Sequence, residues 1–356
     1  MKALTTRERI AKMYEHREAD RVPICDTPWA SALERWEREG MPQGAEYNEF
    51  FGLDPVHLFG VDVTPQYEER VVEETDEYIT RTTAWGATER NWKHAASTPE
   101  YLDFTVTDPD RWAEARKRMT PKPDRIPWDW LEKKYPVYRK RGDWIQARFR
   151  FGFEAVHAYT VGTERVLMAL CTDPEWMTDM FNHYLDLNIA LFEMILARGY
   201  TFDAVHWTDD LGYKQSQFFS LKMYRELLRP AHQRAVEWAH SKGMKAKFHS
   251  CGDIRPFLPE FVDMGIDGLH PLEVKAGVDP IQVKKTYGKK LLLHGGMDAL
   301  LWDDADKMEA YVRRVLPVMK EGGGYIFSTD HTIPSSASLA AFKRIVAVAK
   351  AVGSYE

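Results

Sequence analysis

The sequence predicts an α/β fold, specifically a (β/α)8 TIM barrel forming one domain over residues 1–356, with an insertion at 64–143 between strands two and three. Two observations carry this expectation. Short apolar runs alternate with segments of helical periodicity, the pattern of a parallel α/β fold. There are eight such runs, the number that closes a barrel. The length of 356 residues exceeds a common domain of ~150 but suits a single barrel.

The runs follow in order. "RVPICD" (21–26) is the first expected strand and "PVHLFGVDV" (55–63) the second. "WIQARFRF" (144–151), "FDAVHWTDD" (202–210) and "KAKFHS" (245–250) are the third to fifth. "DGLHPLE" (267–273), "KLLLHGGMD" (290–298) and "GGYIFSTDH" (323–331) complete the set. The clearest helix is "SLKMYRELLRPAHQRAVEWAHSKG", with Leu221, Tyr224, Leu228, Ala231, Ala235 and Trp238 at three- and four-residue spacing. Ser220 is its expected N-cap, Gly243 its stop, and Pro230 the site of a kink. Within 64–143, "ERVVEETDEYITRTTAWGATERNW" reads as antiparallel hairpins and "STPEYLDFTVTDPDRW" as a loop punctuated by Pro and Asp. The stretch is long enough to cover the barrel mouth and wall a pocket.

Composition narrows the function. A net charge of -6 argues against nucleic-acid binding, which needs a basic excess. The charged N-terminus lacks the apolar core of a signal peptide, and no run approaches the ~20 apolar residues that cross a bilayer. Three scattered cysteines, Cys25, Cys171 and Cys251, do not make a disulfide framework. The expectation is a reduced, cytoplasmic protein. Aromatic residues make up 13% of the chain, enough to build a core and to line an apolar pocket as well.

In a parallel barrel the chemistry sits at the C-terminal ends of the strands. Those ends here carry Asp26, Asp62, Arg148, Arg150, Glu154, Tyr159, Asp209, Asp210, His249, Cys251, Glu273, His294, Asp298, Asp330 and His331. His249 and Cys251, two apart, offer imidazole and thiolate, both good zinc ligands. Gly252 frees the backbone for the turn that lets both face the mouth. A catalytic zinc needs a third protein ligand, for which His331 is the first choice and Glu273 or His294 the reserves. The competing reading is a hydrogen-bonded core histidine beside an inert thiol.

The segment "HSCGDIRPFLPEFVDMGIDGLHPLEVKAGVDPIQVKKTYGKKLLLHGGMD", with "EGGGYIFSTDHTIP" and "WTDDLGYKQSQFFSLKMYRELLRP", resembles the uroporphyrinogen decarboxylase superfamily. The resemblance implies a (β/α)8 barrel and one of two chemistries. One is metal-free decarboxylation of a uroporphyrinogen-like tetrapyrrole, often in a homodimer. For it, Asp62, Tyr159 and His331 match the family's Asp, Tyr and His, but "CDTPWASALERW" stands where the decarboxylases carry their Arg motif. The other is zinc-dependent methyl transfer involving a separate corrinoid protein. Its branch carries H-x-C after the fifth strand and Cys after the eighth. His249 and Cys251 match the first two, and His331 replaces the last Cys.

The resemblance therefore favours zinc held by His249, Cys251 and His331. It implies methyl exchange between a small O-, N- or S-methyl substrate, or a thiol, and methylcobalamin or another corrinoid on a partner protein. Asp209, Asp210, Tyr159 and Asp62 are then the catalytic candidates, and Glu273, His294, Arg148 and Asp330 the substrate-binding ones. Neither a nucleic acid nor a membrane is expected as partner.

Overall fold

A computed structural model describes residues 4–94 and 98–355; residues 95–97 of the expected insertion lie outside them. Seven parallel strands form one sheet: β1 (Val56–Gly60), β6 (Trp144–Phe149), β7 (Ala204–Thr208), β10 (Lys245–His249), β11 (Gly268–His270), β12 (Leu292–His294) and β13 (Tyr325–Ile326), in that spatial order. These correspond to the second to eighth expected runs, each shorter than the apolar stretch that signalled it. Strands β6 and β7 are buried nearly throughout, as befits a parallel sheet covered by helices. The result is a mixed α/β fold on a curled parallel sheet, compatible with a TIM-like architecture.

The first expected strand, 21–26, is a correction. Among the described residues it forms only isolated bridges, one of them Ile24 with Phe327. Pro23 has no N–H to donate, and the Ile24 N–H is taken by the Asp54 side chain at 2.8 Å. The segment still links the sheet's two edges. Cys25 N donates to Phe327 O at 3.0 Å beyond β13, and Asp54 N donates to Ile24 O at 2.9 Å ahead of β1.

Between the paired neighbours β1 and β6 lies a separate antiparallel sheet of β2 (Val71–Glu74), β3 (Tyr78–Thr82), β4 (Ala87–Trp92) and β5 (Glu100–Phe104). The hairpin reading holds, but the loop expected over "STPEYLDFTVTDPDRW" contains β5 and then a helix, Pro109–Arg118. The Asp-Pro pair that reads as loop punctuation is the helix start: Asp108 accepts from Arg111 N at 2.8 Å, and Pro109 occupies the first turn.

Ser220 caps its helix as expected, accepting from Met223 N at 3.2 Å. Instead of a simple kink, a π-helical turn, Tyr224–Leu228, leads into the α-helix Arg229–Ser241, with Pro230 in that helix's first turn. Widening the turn accommodates the missing proline N–H and the bulk of its ring. A short ribbon, β8 (Gly212–Tyr213) and β9 (Ser216–Gln217), follows β7. Among the described residues, no helix is long and apolar enough to cross a membrane.

Candidate metal centre

Strand β10 delivers His249 to its C-terminal end, where a tight turn reverses the chain. Ser250 N donates to His270 O at 2.9 Å, and its hydroxyl accepts from Leu211 N at 2.9 Å. Gly252 has φ +83°, and a Cβ there would stand 2.2 Å from the Gly212 carbonyl carbon. No other residue type fits. Gly252 N donates to Glu273 Oε2 at 2.6 Å. Glu273 thus holds the turn, and the turn holds Cys251.

Three donor groups converge at that point. His249 Nε2 lies 3.4 Å from Cys251 Sγ and 3.7 Å from Asp210 Oδ1. Ligand atoms of Asp210, His249 and Cys251 all fall within 4.8 Å of one another, the one such group among the described residues. Donors around a tetrahedral zinc stand about 3.3–3.7 Å apart, so imidazole, thiolate and carboxylate here nearly match a catalytic site with one open position. The third donor at this distance is Asp210, on the loop after β7, not His331, Glu273 or His294. His331 is exposed and lines the rim of the same cavity.

The electrostatics suit a cation. Burial, with the charges of Asp210, Glu273 and Glu154, pushes the Cys251 thiol well up. A positive ion among these groups removes the penalty for thiolate. Burial raises Asp210 to about 6, while the Cys251 N–H it accepts at 2.8 Å works against that rise. Burial and the nearby Lys247 lower His249 to about 3, so its imidazole is neutral and able to ligate.

Beneath the donors lies a chain of rings. His249 Nδ1 meets His270 Nδ1 at 2.7 Å, and the rings of His270 and His294 lie 4.5 Å apart. A metal-facing Nε2 requires the His249 proton on Nδ1, donated to His270, the orienting contact that metal-bound histidines use. Lys247 Nζ donates to His294 Nδ1 at 2.8 Å, which leaves His294 Nε2 to donate to Cys25 O at 3.1 Å. These residues and Glu154 line a cavity of ≈ 430 Å³ that opens at the strand ends. A larger groove of ≈ 710 Å³ between helices Pro109–Arg118 and Pro174–Leu196 carries no such donor group.

Residues 155–352, more than half of the chain, match the family model described as uroporphyrinogen decarboxylase (URO-D). The chain belongs to the uroporphyrinogen decarboxylase family. Among solved structures it resembles a methyltransferase from Methanosarcina mazei, with TM-score 0.63 and 16% identity, covering 97% of this chain and 98% of that one. At that identity the likeness is one of fold. No curated protein matches the chain.

Within this family member the remaining expected residues separate by role. Asp209 is fully buried and accepts from Phe153 N (3.1 Å), Glu154 N (2.6 Å) and His232 Nε2 (2.8 Å). Its oxygens position the loop after β6 and do not face the cavity. Asp62 closes its own turn by accepting from Thr64 N at 2.8 Å, and it lies with Tyr159 in a neighbouring cavity of ≈ 350 Å³ walled partly by the antiparallel sheet. Tyr159 donates to Glu154 Oε1 at 3.0 Å. Asp330 accepts from Val274 N at 2.8 Å and Ala299 N at 2.9 Å, tying three strand-end loops together. Arg148 lines a small recess beside Glu154.

Lys247, His206 and His270 were not singled out by the sequence, and Glu154 was named as a strand-end residue without a role. Glu154 Oε2 is buried with no partner, and burial with the charges of Asp210 and Asp209 raises this carboxyl to about 8.

Proposed function

We propose that this chain is a zinc-dependent methyltransferase. It moves a methyl group between a small O-, N- or S-methyl substrate, or a thiol, and the cobalt of a separate corrinoid protein. The observation that carries the reading is the convergence of Asp210, His249 and Cys251 within 4.8 Å at a cavity mouth. The expected closure into a (β/α)8 barrel belongs to this reading, with the segment around Ile24 as the eighth member.

Asp210, His249 and Cys251 would hold the metal, and His331 lies at the rim of the same cavity. Zinc, when bound, supplies a Lewis acid for the substrate heteroatom. His270 fixes the tautomer of His249, and Glu273 fixes the turn that carries Cys251. In the demethylating direction a corrinoid on the partner protein would supply the methyl acceptor, the heteroatom keeping the electron pair of the broken C–X bond. Glu154, whose burial favours the protonated carboxyl and whose Oε2 is unengaged, would give that heteroatom its proton; Tyr159 steadies the other carboxyl oxygen. In the reverse direction Glu154 accepts the thiol proton.

The rival reading is metal-free decarboxylation of a tetrapyrrole. A polycarboxylate substrate needs guanidinium partners, and no arginine is among the residues lining the cavity that holds His249 and Cys251. The test is metal analysis with turnover. Zinc near one per chain, lost in Cys251→Ala, together with methylation of cob(I)alamin, supports methyl transfer. A metal-free protein that turns over uroporphyrinogen overturns it.

A further inference from the structure

The floor of the cavity carries positive charge that the chain does not neutralise. Lys247 pairs in register with His206, and His206 with Arg148, so three basic side chains leave neighbouring strands at one level and on one face. Lys247 is 4% exposed and, among the described residues, forms no ion pair. Its contact with His294 Nδ1 uses one of three ammonium N–H groups. His206 is 7% exposed, and its Nδ1 has no hydrogen-bond partner.

Of the acids lining this cavity, Glu154 lies beside Arg148 with one oxygen unpartnered, and the two deeper ones are engaged elsewhere. Asp54 pairs with Arg9 and Arg21, and Asp26 accepts from Thr329. A buried ammonium without a carboxylate is costly unless a ligand supplies the anion, and an unpartnered buried imidazole nitrogen at the same level marks where one would sit.

We infer that Lys247 and His206 form an anion subsite for a carboxylate of the substrate. His249 stands two residues further along the same strand and face, and its ring centre lies 6.3 Å from that of His206. The substrate is then a small organic carboxylate whose reacting heteroatom and anionic group are separated by about one aromatic ring. Its role as substrate handle rests on the methyltransferase reading; the anion site itself does not.

Calorimetric titration of the full chain with benzoate and with benzamide, its neutral analogue, tests the subsite. Benzoate is expected to bind roughly tenfold or more tightly than benzamide. Lys247→Met should erase that preference, with His206→Gln reducing it severalfold, in protein that melts as cooperatively as wild type. Cys251→Ala, which removes a proposed metal ligand, should leave benzoate affinity within about twofold. Equal affinities for benzoate and benzamide, or a preference that survives in both Lys247→Met and His206→Gln, would overturn the subsite. So would loss of benzoate binding in Cys251→Ala, which would assign the carboxylate to the metal. Absence of zinc from the wild-type protein would defeat the methyltransferase reading and leave this comparison standing.

Discussion

Replacing His270 with phenylalanine tests how the centre is built without touching a proposed ligand. The His249 proton must sit on Nδ1 for Nε2 to face Cys251 and Asp210, and His270 Nδ1 accepts that proton across 2.7 Å. Phenylalanine keeps the ring volume and removes the acceptor. The stranded, buried N–H then costs about 1–3 kcal/mol. His249 escapes this cost by moving its proton to Nε2, where it blocks the metal. At about 1.4 kcal/mol per tenfold, the expected loss of zinc affinity is about 5- to 150-fold. This overlaps the 10- to 100-fold range found on removing an orienting partner. Competition with a chromophoric chelator reads the affinity directly. His270→Gln, whose side-chain oxygen accepts the same bond, should recover most of it. Wild-type affinity in His270→Phe would refute the tautomer argument.

Asp209→Ala strips three donors of their acceptor in a fully buried position. It should cost about 3–5 kcal/mol in urea unfolding, whereas Asp210→Ala, which strands only the part-buried Cys251 N–H, should cost about 1 kcal/mol and weaken zinc binding at least tenfold. Gly252→Ala combines a left-handed φ with a 2.2 Å approach to Gly212. It should lower stability by about 1–3 kcal/mol and zinc affinity with it; a variant as stable as wild type would mean the turn relaxes freely. Glu154 has a folded-state value near 8 against an ordinary 4.5. The fold therefore holds this proton more tightly than the unfolded chain, and its contribution favours folding at low pH and is lost as pH rises from about 4.5 towards about 8. Thermal melts of metal-free Glu154→Gln should accordingly show less loss of stability than wild type across that window.

Much of this was legible in the sequence, and the physical reasons divide cleanly. Seven of the eight expected strands stand because apolar runs bounded by Gly, Pro and Asp have few alternatives in a parallel sheet. The first does not, because Pro23 cannot donate and Asp54 competes for Ile24. His249 and Cys251 were visible as a pair because their spacing and the following glycine define a turn within one segment. Asp210 as their companion was not separable from Asp209. The two are adjacent, and only the pairing of β7 with β10 decides which carboxyl turns toward the donors and which is consumed by the loop after β6. His206, Lys247 and His270 were passed over because a single polar residue in an apolar strand resembles an ordinary core contact. Their common face appears only once the register of the neighbouring strands is known.

Zinc K-edge X-ray absorption on protein loaded with one zinc per chain addresses the centre most directly. The account predicts a single sulfur at about 2.3 Å from Cys251, with the remaining ligands nitrogen or oxygen at about 2.0–2.2 Å. It predicts further that the sulfur shell vanishes in Cys251→Ala. A spectrum with no sulfur shell, or one unchanged in that variant, would contradict it.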